Sequence, residues 1–413
     1  MKRRVVITSM GVLSSLGHNH SEIIKGLKEE TVSFERPVFD GEVVTAPIRN
    51  FNIRDYTGRF KESRYLNRGA QFAVASAIIA IGDSGYNRES LAEAGLFVGT
   101  GPNLNIGGEF PEIRGGEIDR EDLQALWILK FLPNTAASII TKLSGIHGEN
   151  LTITTACSAS LQAVGEAFHK IKDGYLDIAL AGGGDSRLNP GGILAYKKAG
   201  ALYTGNSDPE KASRPFDRSR GGFVPGEGGA FFLLEELERA KGRGAKIYGE
   251  ICGYTSSMDA YNMTAPDGDG KWGRIAVLAA LQEAGMSPSQ IDVISTHGTG
   301  TTLNDEREAN LIDEIYRDCK PLAIALKSWI GHTASACGAL ELALSLVCMQ
   351  RGYLPAVRNL KEPCHRNINF VRESGDFSFA TCVIENFGFG GQNSALIVKR
   401  SHEPCSAGLE SCV

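Results

Sequence analysis

The sequence predicts an α/β protein built from two similar halves. Two observations carry that expectation: short β-branched and apolar runs alternate with longer helical patterns, and one ordered set of features occurs twice along the chain. Val5-Val6-Ile7, Leu96-Phe97-Val98, Leu151 to Thr155, Ile178-Ala179-Leu180 and Phe231 to Leu234 read as buried strands. Between them, Arg68 to Asp83 and Ser158 to Lys172 read as helices. In the second, Leu161, Val164, Phe168 and Ile171 form an i, i+3, i+7, i+10 stripe, the spacing of one buried helix face. The charged, glycine-containing stretch Leu237 to Lys246 is the expected boundary, dividing residues 1–245 from 246–413, with a short polar tail from about 401. Beyond it the pattern restarts. Ile291 to Ile294, Leu322 to Ala325 and Ala395 to Val398 read as strands, and Ser335 to Gln350 as a helix with Leu340, Leu344 and Val347 on one face.

The halves echo each other in detail. A reactive residue, Cys157 and then His332, precedes a helix that ends in Gly-Tyr-Leu, at Gly174-Tyr175-Leu176 and at Gly352-Tyr353-Leu354. Later in each half a phenylalanine and a glycine cluster lead into a strand, from Phe223 to Phe232 and from Phe387 to Ile397. Taken in order, these pairs favour an internal duplication of one α/β unit.

Composition narrows the function. The 413 residues carry 43 Lys+Arg against 48 Asp+Glu, a net charge of −5 without a basic block, which disfavours nucleic acid as a partner. The longest nearly apolar run, Phe72 to Ile81, is far short of the roughly 18 residues a membrane span needs. Val5-Val6-Ile7 after Lys2-Arg3-Arg4 is too short for an export signal. Nine cysteines, an odd number with no CxxC pair, suit neither a disulfide framework nor a zinc site, and fit free thiols in a reducing cytoplasm. A soluble cytoplasmic chain is the expectation.

The chemistry is expected around Thr154-Thr155-Ala156-Cys157-Ser158. A strand runs into a turn of small residues and a helix starts just after the cysteine, the arrangement of a nucleophile elbow. The helix N-terminus there is expected to stabilise thiolate and depress the thiol pKa. The other reading is a buried structural thiol. His297, directly after the strand Val293-Ile294, and His332, opening the second helix, sit in Gly/Thr-rich turns at strand ends. As neutral imidazoles they would donate hydrogen bonds to a developing oxyanion or enolate, whereas the plain alternative is two hydrogen-bonded loop residues. Lys327 and Glu341 flank His332 in sequence. They read either as a pair setting its tautomer or, for Lys327, as a solvated cation at a strand end. Asn386-Phe387-Gly388-Phe389-Gly390-Gly391 reads as an oxyanion-hole loop or as a tight turn with core phenylalanines. No Lys-Ser/Thr follows it, so a phosphate loop is rejected.

Together these motifs resemble the β-ketoacyl-[acyl-carrier-protein] synthases, nearest to the elongating ketoacyl synthase II type, over almost the whole chain. Thr155-Ala156-Cys157-Ser158, Pro209 to Asp217, Gly226-Glu227-Gly228, Thr264 to Asp267, His297-Gly298-Thr299, Gly331-His332 and Phe387 to Gly391 carry the resemblance. It implies a thiolase fold, in which duplicated α/β halves form a five-layer αβαβα sandwich, and a dimer, either of like chains or with a chain-length-factor-like subunit. It implies Cys157 as the acylated nucleophile, and His297 and His332 as the residues assisting decarboxylation of a malonyl thioester. Lys327 and Glu341 would be the supporting pair beside His332, with Thr299 and Thr301 against the pantetheine arm. Phe389, with Phe387 beside it, would gate the site, and the backbone N–H groups of Cys157 and Phe389 would form the oxyanion hole. The resemblance implies no metal and no cofactor of the chain's own, since 4'-phosphopantetheine arrives on the partner acyl carrier protein.

Some positions depart from the family pattern. Gly200 and Gly205 stand where two cations facing the acidic carrier protein are expected, although Lys197 and Lys198 lie nearby. Pro102 to Leu126, in the region that shapes the acyl pocket, is atypical, and Gly300 replaces the usual serine. A thiolase would hold a second cysteine where Phe387 to Gly391 stands, and an initiating synthase would carry asparagine in place of His332. A non-catalytic chain-length partner or a carrier-protein-binding module would not need Cys157.

Overall fold

Every strand expected from the sequence forms, and most run longer than the apolar segment that announced them. The computed structural model describes residues 3–105 and 125–401, so most of the atypical Pro102 to Leu126 segment and of the expected polar tail lie outside the described residues. The first half contributes β1 (Val5–Leu13), β2 (Gly95–Gly99), β3 (Asn150–Ile153), β4 (Ile178–Ser186) and β5 (Glu227–Glu236). The second contributes β6 (Gly249–Met258), β7 (Val293–Ser295), β8 (Leu322–Ile324), the short β9 (Tyr353–Leu354), β10 (Asn369–Phe370) and β11 (Gly375–Asp376), then β12 (Thr381–Gly388) and β13 (Gln392–Lys399). The helices that position the site are α1 (Arg68–Ser84), α2 (Thr135–Ser144), α3 (Ala159–Lys172), α4 (Pro190–Lys198), α5 (Lys271–Ala284), α6 (Thr302–Tyr316), α7 (Lys327–Ile330) and α8 (Cys337–Arg351).

The strand order is β3-β2-β4-β5-β1 in the first half and β8-β7-β12-β13-β6 in the second. In both, the first two pairings are parallel and the last two antiparallel, so the duplication read from the sequence is a duplication of topology. The two five-strand arrays join where β1 pairs with β6 over Val5↔Ile251, Val6↔Glu250 and Ile7↔Gly249. β10 adds to β8 at one edge.

Layering follows from which helix faces are apolar. α8 is buried all round from Cys337 to Met349, as only a helix enclosed on every side can be. It lies with α3 in one core that takes side chains from strands of both halves, including Val5, Phe232, Ile384 and Leu396. α1 and α2 cover the outer face of the first array with Val74, Ala77 and Ile140 against Leu96, Val98 and Leu233. α5 and α6 cover the outer face of the second with Val277, Leu281 and Leu311 against Val383 and Ile397. The result is five layers, helix, sheet, helix, sheet, helix. Among the described residues no helix is long and apolar enough to cross a membrane.

Two differences from the sequence expectation have physical causes. β4 continues past Leu180 through Gly182-Gly183-Gly184, residues that weaken any strand signal. A Cβ at Gly183 would lie 2.4 Å from the carbonyl of Gly99, and one at Gly184 2.4 Å from the amide of Ala73, so the bare backbone is what lets β2 and α1 approach. The expected boundary stretch begins with a short helix, Leu237–Gly242, whose Leu237 and Ala240 pack on Val6.

Candidate active site

Cys157 sits in a 3₁₀ turn, Ala156–Ser158, between β3 and α3, and Ala156 has φ 49°. His332 precedes the equivalent turn, Ala334–Ala336, before α8, and there Ala334 has φ 48°. A left-handed alanine costs on the order of 1 kcal/mol, so both halves hold one strained residue at the same topological place. α3 and α8 pack against each other, which brings the two turns together. The Cys157 Sγ lies 3.3 Å from His332 Nε2.

The protonation of the two imidazoles follows from their partners. The Ala334 N–H donates to His332 Nδ1 at 3.0 Å, so that nitrogen offers a lone pair. Lys327 Nζ does the same for His297 Nδ1 at 3.1 Å and also donates to the His297 carbonyl at 2.6 Å. Burial, followed by the positive charge of Lys327, holds both rings well below the ordinary histidine range. Each is therefore neutral with its proton on Nε2. The rings stand nearly perpendicular with centroids 5.6 Å apart. One nitrogen from each and the Cys157 sulfur all lie within 4.8 Å of one another, a spacing that would also suit a metal ion. With both Nδ1 atoms occupied by donors, the inward nitrogens carry hydrogens rather than lone pairs, and the set is one of hydrogen-bond donors.

Two expectations need correction. Lys327 is buried, as is Glu341, and their ion pair, with Glu341 also accepting from Asn386 Nδ2 at 2.5 Å, supports His297 rather than His332. A solvated end-of-strand cation is ruled out. Burial lowers the Lys327 pKa and the charge of Glu341 more than restores it, so the ammonium stays charged. Breaking this pair leaves a buried uncompensated carboxylate, so Lys327→Met is expected to cost about 3–5 kcal/mol, read by denaturant unfolding. Lys327→Met with Glu341→Leu should recover most of that loss, and additive losses would contradict the pairing.

The second correction concerns the thiol. Burial pushes Cys157 up to about 11, although the charges of Lys327 and Arg187 and the N–H of Phe389 pull it down. Burial outweighs those charges and that amide, and the resting group is a thiol. Alkylation of Cys157 by iodoacetamide is therefore expected to rise about tenfold per pH unit from pH 6 to beyond pH 9. A plateau near pH 7 would show that the donors around the sulfur prevail.

The Phe387 to Gly391 segment is the end of β12 and a tight hairpin, with Gly388 opposite Gln392 and positive φ at Gly390 and Gly391. Gly388 lets the hairpin approach closely: a Cβ there would fall 3.0 Å from the Cys157 amide nitrogen, a tight contact. The hairpin thus brings the Phe389 N–H to the Cys157 sulfur and the Gly388 backbone against the Cys157 amide. Phe387 is buried with its ring against His297, and Phe389 is partly exposed at the cavity wall.

A cavity of about 560 Å³ joins these groups. Cys157, His297, His332, Thr299, Thr301, Phe387 and Phe389 all line it, and the Thr299 and Thr301 hydroxyls hydrogen-bond each other at 2.9 Å. Sequence reasoning missed the carboxylates that shape its loop. Glu308 accepts from the amides of His297 at 2.6 Å and Gly298 at 2.8 Å, and Asp305 from those of Thr299 at 3.0 Å and Phe216 at 2.7 Å. Burial and then the charge of Asp305 push Glu308 up to about 8. Their only sequence signal is a cluster of acids on α6, indistinguishable from a solvated face.

The chain matches the model of the β-ketoacyl synthase N-terminal domain over residues 2–240 and that of the C-terminal domain over 248–361. The chain belongs to the β-ketoacyl synthase family. It is 34% identical to 3-oxoacyl-[acyl-carrier-protein] synthase 2 of Vibrio cholerae, over 97% of this chain and 99% of that one. It is 32% identical to 3-oxoacyl-[acyl-carrier-protein] synthase 1 of Escherichia coli, over 96% and 99%. A β-ketoacyl synthase from Burkholderia phymatum superposes with TM-score 0.89 at 30% identity, covering 97% of this chain and all of that one. The ishigamide ketosynthase/chain length factor superposes with TM-score 0.87 at 29% identity over the same shares. The five layers are those of the thiolase-fold synthases, and the chain is an acyltransferase of that family.

Proposed function

We propose that this β-ketoacyl synthase lengthens an acyl chain by decarboxylative Claisen condensation with malonyl-acyl carrier protein. The observation that carries the reading is the convergence of one thiol, two imidazole Nε2–H donors and two backbone N–H donors on one cavity. The Cys157 sulfur attacks the acyl thioester, whose oxygen is received by the N–H groups of Cys157 and Phe389. The proton lost by Cys157 is the one gained by the departing pantetheine thiol, so no resident base has to hold it. The malonyl thioester oxygen then accepts hydrogen bonds from His297 and His332. CO2 leaves, and the enolate carbon attacks the Cys157 thioester. The 3-oxoacyl product departs on its carrier and the thiolate regains a proton from water. Thr299 and Thr301 would meet the pantetheine arm.

The carrier protein would bring the phosphopantetheine, so the chain needs no cofactor of its own. A dimer is part of the reading, with a second copy or with a chain-length-factor-like subunit, as is a cytoplasmic location. Seven cysteines are free among the described residues, which suits that compartment. The departures at the entrance have local reasons. Gly200 follows α4 with φ 66°, and a Cβ at Gly205 would lie 2.4 Å from the Tyr203 hydroxyl. Lys197 pairs with Asp40 at 3.0 Å and Glu42 at 2.6 Å, which offsets its charge at the entrance. The test is to supply acyl- and malonyl-carrier protein and measure CO2 and the 3-oxoacyl product by mass spectrometry. CO2 release without a 3-oxoacyl product would contradict the condensing assignment.

A further inference from the structure

One stretch of the cavity wall is polar where an alkyl chain would meet carbon. Arg187, just past β4, forms a buried pair with Asp185, Nε at 3.1 Å and Nη2 at 2.9 Å from the carboxylate. Asp185 also accepts from the Ser335 amide at 3.1 Å. Arg187, Tyr196 and Ser335 line the same cavity as Cys157. The Ser335 hydroxyl is fully buried and unpartnered. Among the described residues, Arg187 Nη1 and the Tyr196 hydroxyl have no hydrogen-bond partner either. The cluster gathers on bare backbone: a Cβ at Gly101 would lie 2.0 Å from Arg187 Nη2, 2.6 Å from Ser335 Oγ and 2.8 Å from Asp185 Oδ2.

We infer that this cluster makes the enzyme select acyl groups that carry a neutral oxygen, a hydroxyl or a ketone, along the chain. The inference rests on the condensing reading above and names its substrate class. The three unused groups all donate hydrogen bonds, so the matching ligand atom is an acceptor. A carboxylate does not fit, because Asp185 already neutralises Arg187 and a second anion would sit beside it uncompensated. A plain alkyl chain fits poorly, because it would strip water from these donors and offer nothing in return.

The test compares acylation of the full-length protein by N-acetylcysteamine thioesters of octanoate and of octanoates bearing a hydroxyl or an oxo group at carbon 3, 5 or 7. The readout is kcat/KM for mass gain. At least one oxygenated thioester should exceed octanoyl by about tenfold, and the hydroxyl and oxo arms identify which acceptor is preferred. Tyr196→Phe and Ser335→Ala, each deleting one hydroxyl, should lower that ratio by about three- to tenfold. Octanoyl equal to or faster than every oxygenated thioester, or a ratio unmoved in both variants, would overturn the inference while leaving condensation intact. No mass gain from any thioester would instead overturn the condensing reading, and the inference with it.

Discussion

Cys157→Ala is expected to lower 3-oxoacyl formation by roughly 10⁴-fold or more while CO2 release from malonyl-carrier protein persists. The split follows from the geometry. The sulfur is the proposed acceptor of the acyl chain, and its removal leaves the Nε2–H donors of His297 and His332, set by Lys327 and the Ala334 amide, as they were. Alanine also removes the thiol that His332 contacts at 3.3 Å, freeing that donor for the malonyl oxygen. Comparable loss of CO2 release and of condensation would mean that Cys157 works in the malonyl half-reaction, against the roles proposed.

His297→Ala and His332→Ala are expected to act the other way. Each deletes one donor to the enolate oxygen, a loss of about 10²–10³ in the rate of CO2 release, while acylation of Cys157 continues. The two variants should not be equal. His332 alone touches the Cys157 sulfur, so His332→Ala should slow acylation more than His297→Ala does. Decarboxylation undiminished in both would remove the histidines from this step. Because both rings are held neutral well below the usual histidine range, CO2 release should not fall as pH drops from 8 to 6.5.

The fold was legible where burial leaves an apolar signature. The stripe Leu161, Val164, Phe168, Ile171 and the second-half helix with Leu340, Leu344 and Val347 are the central layer, buried from both sides. β12 was not legible, because Glu385 and Asn386 interrupt its apolar run although both are fully buried in the strand. α6 was not legible for a related reason: Asp305 and Glu308 face inward to hold the His297 loop and Arg307 faces inward to Asp259 and Asn393, so its charges mark the inside. Cys157 and His297 stood out because each follows a strand among small residues, and His332 because it opens a helix among small residues; the strand end expected before His332 is instead the short helix α7. Their electrostatics were misjudged from sequence, which shows neither that burial outweighs the positive charges around Cys157 nor that Lys327 reaches His297 across 30 positions. Arg187 escaped notice altogether, since a cation two residues after Asp185 in a glycine-rich run looks like a surface pair.

The most direct test is intact mass and peptide mapping of the wild-type protein after incubation with an acyl-carrier protein. A second thiol gives it discriminating power: Cys337 lies 3.3 Å from the other face of the same imidazole, at His332 Nδ1, and is buried. The expected result is a mass gain equal to one acyl group, carried by the peptide containing Cys157. Acyl mass on Cys337 or any other residue, or an equal gain in Cys157→Ala, would contradict the account.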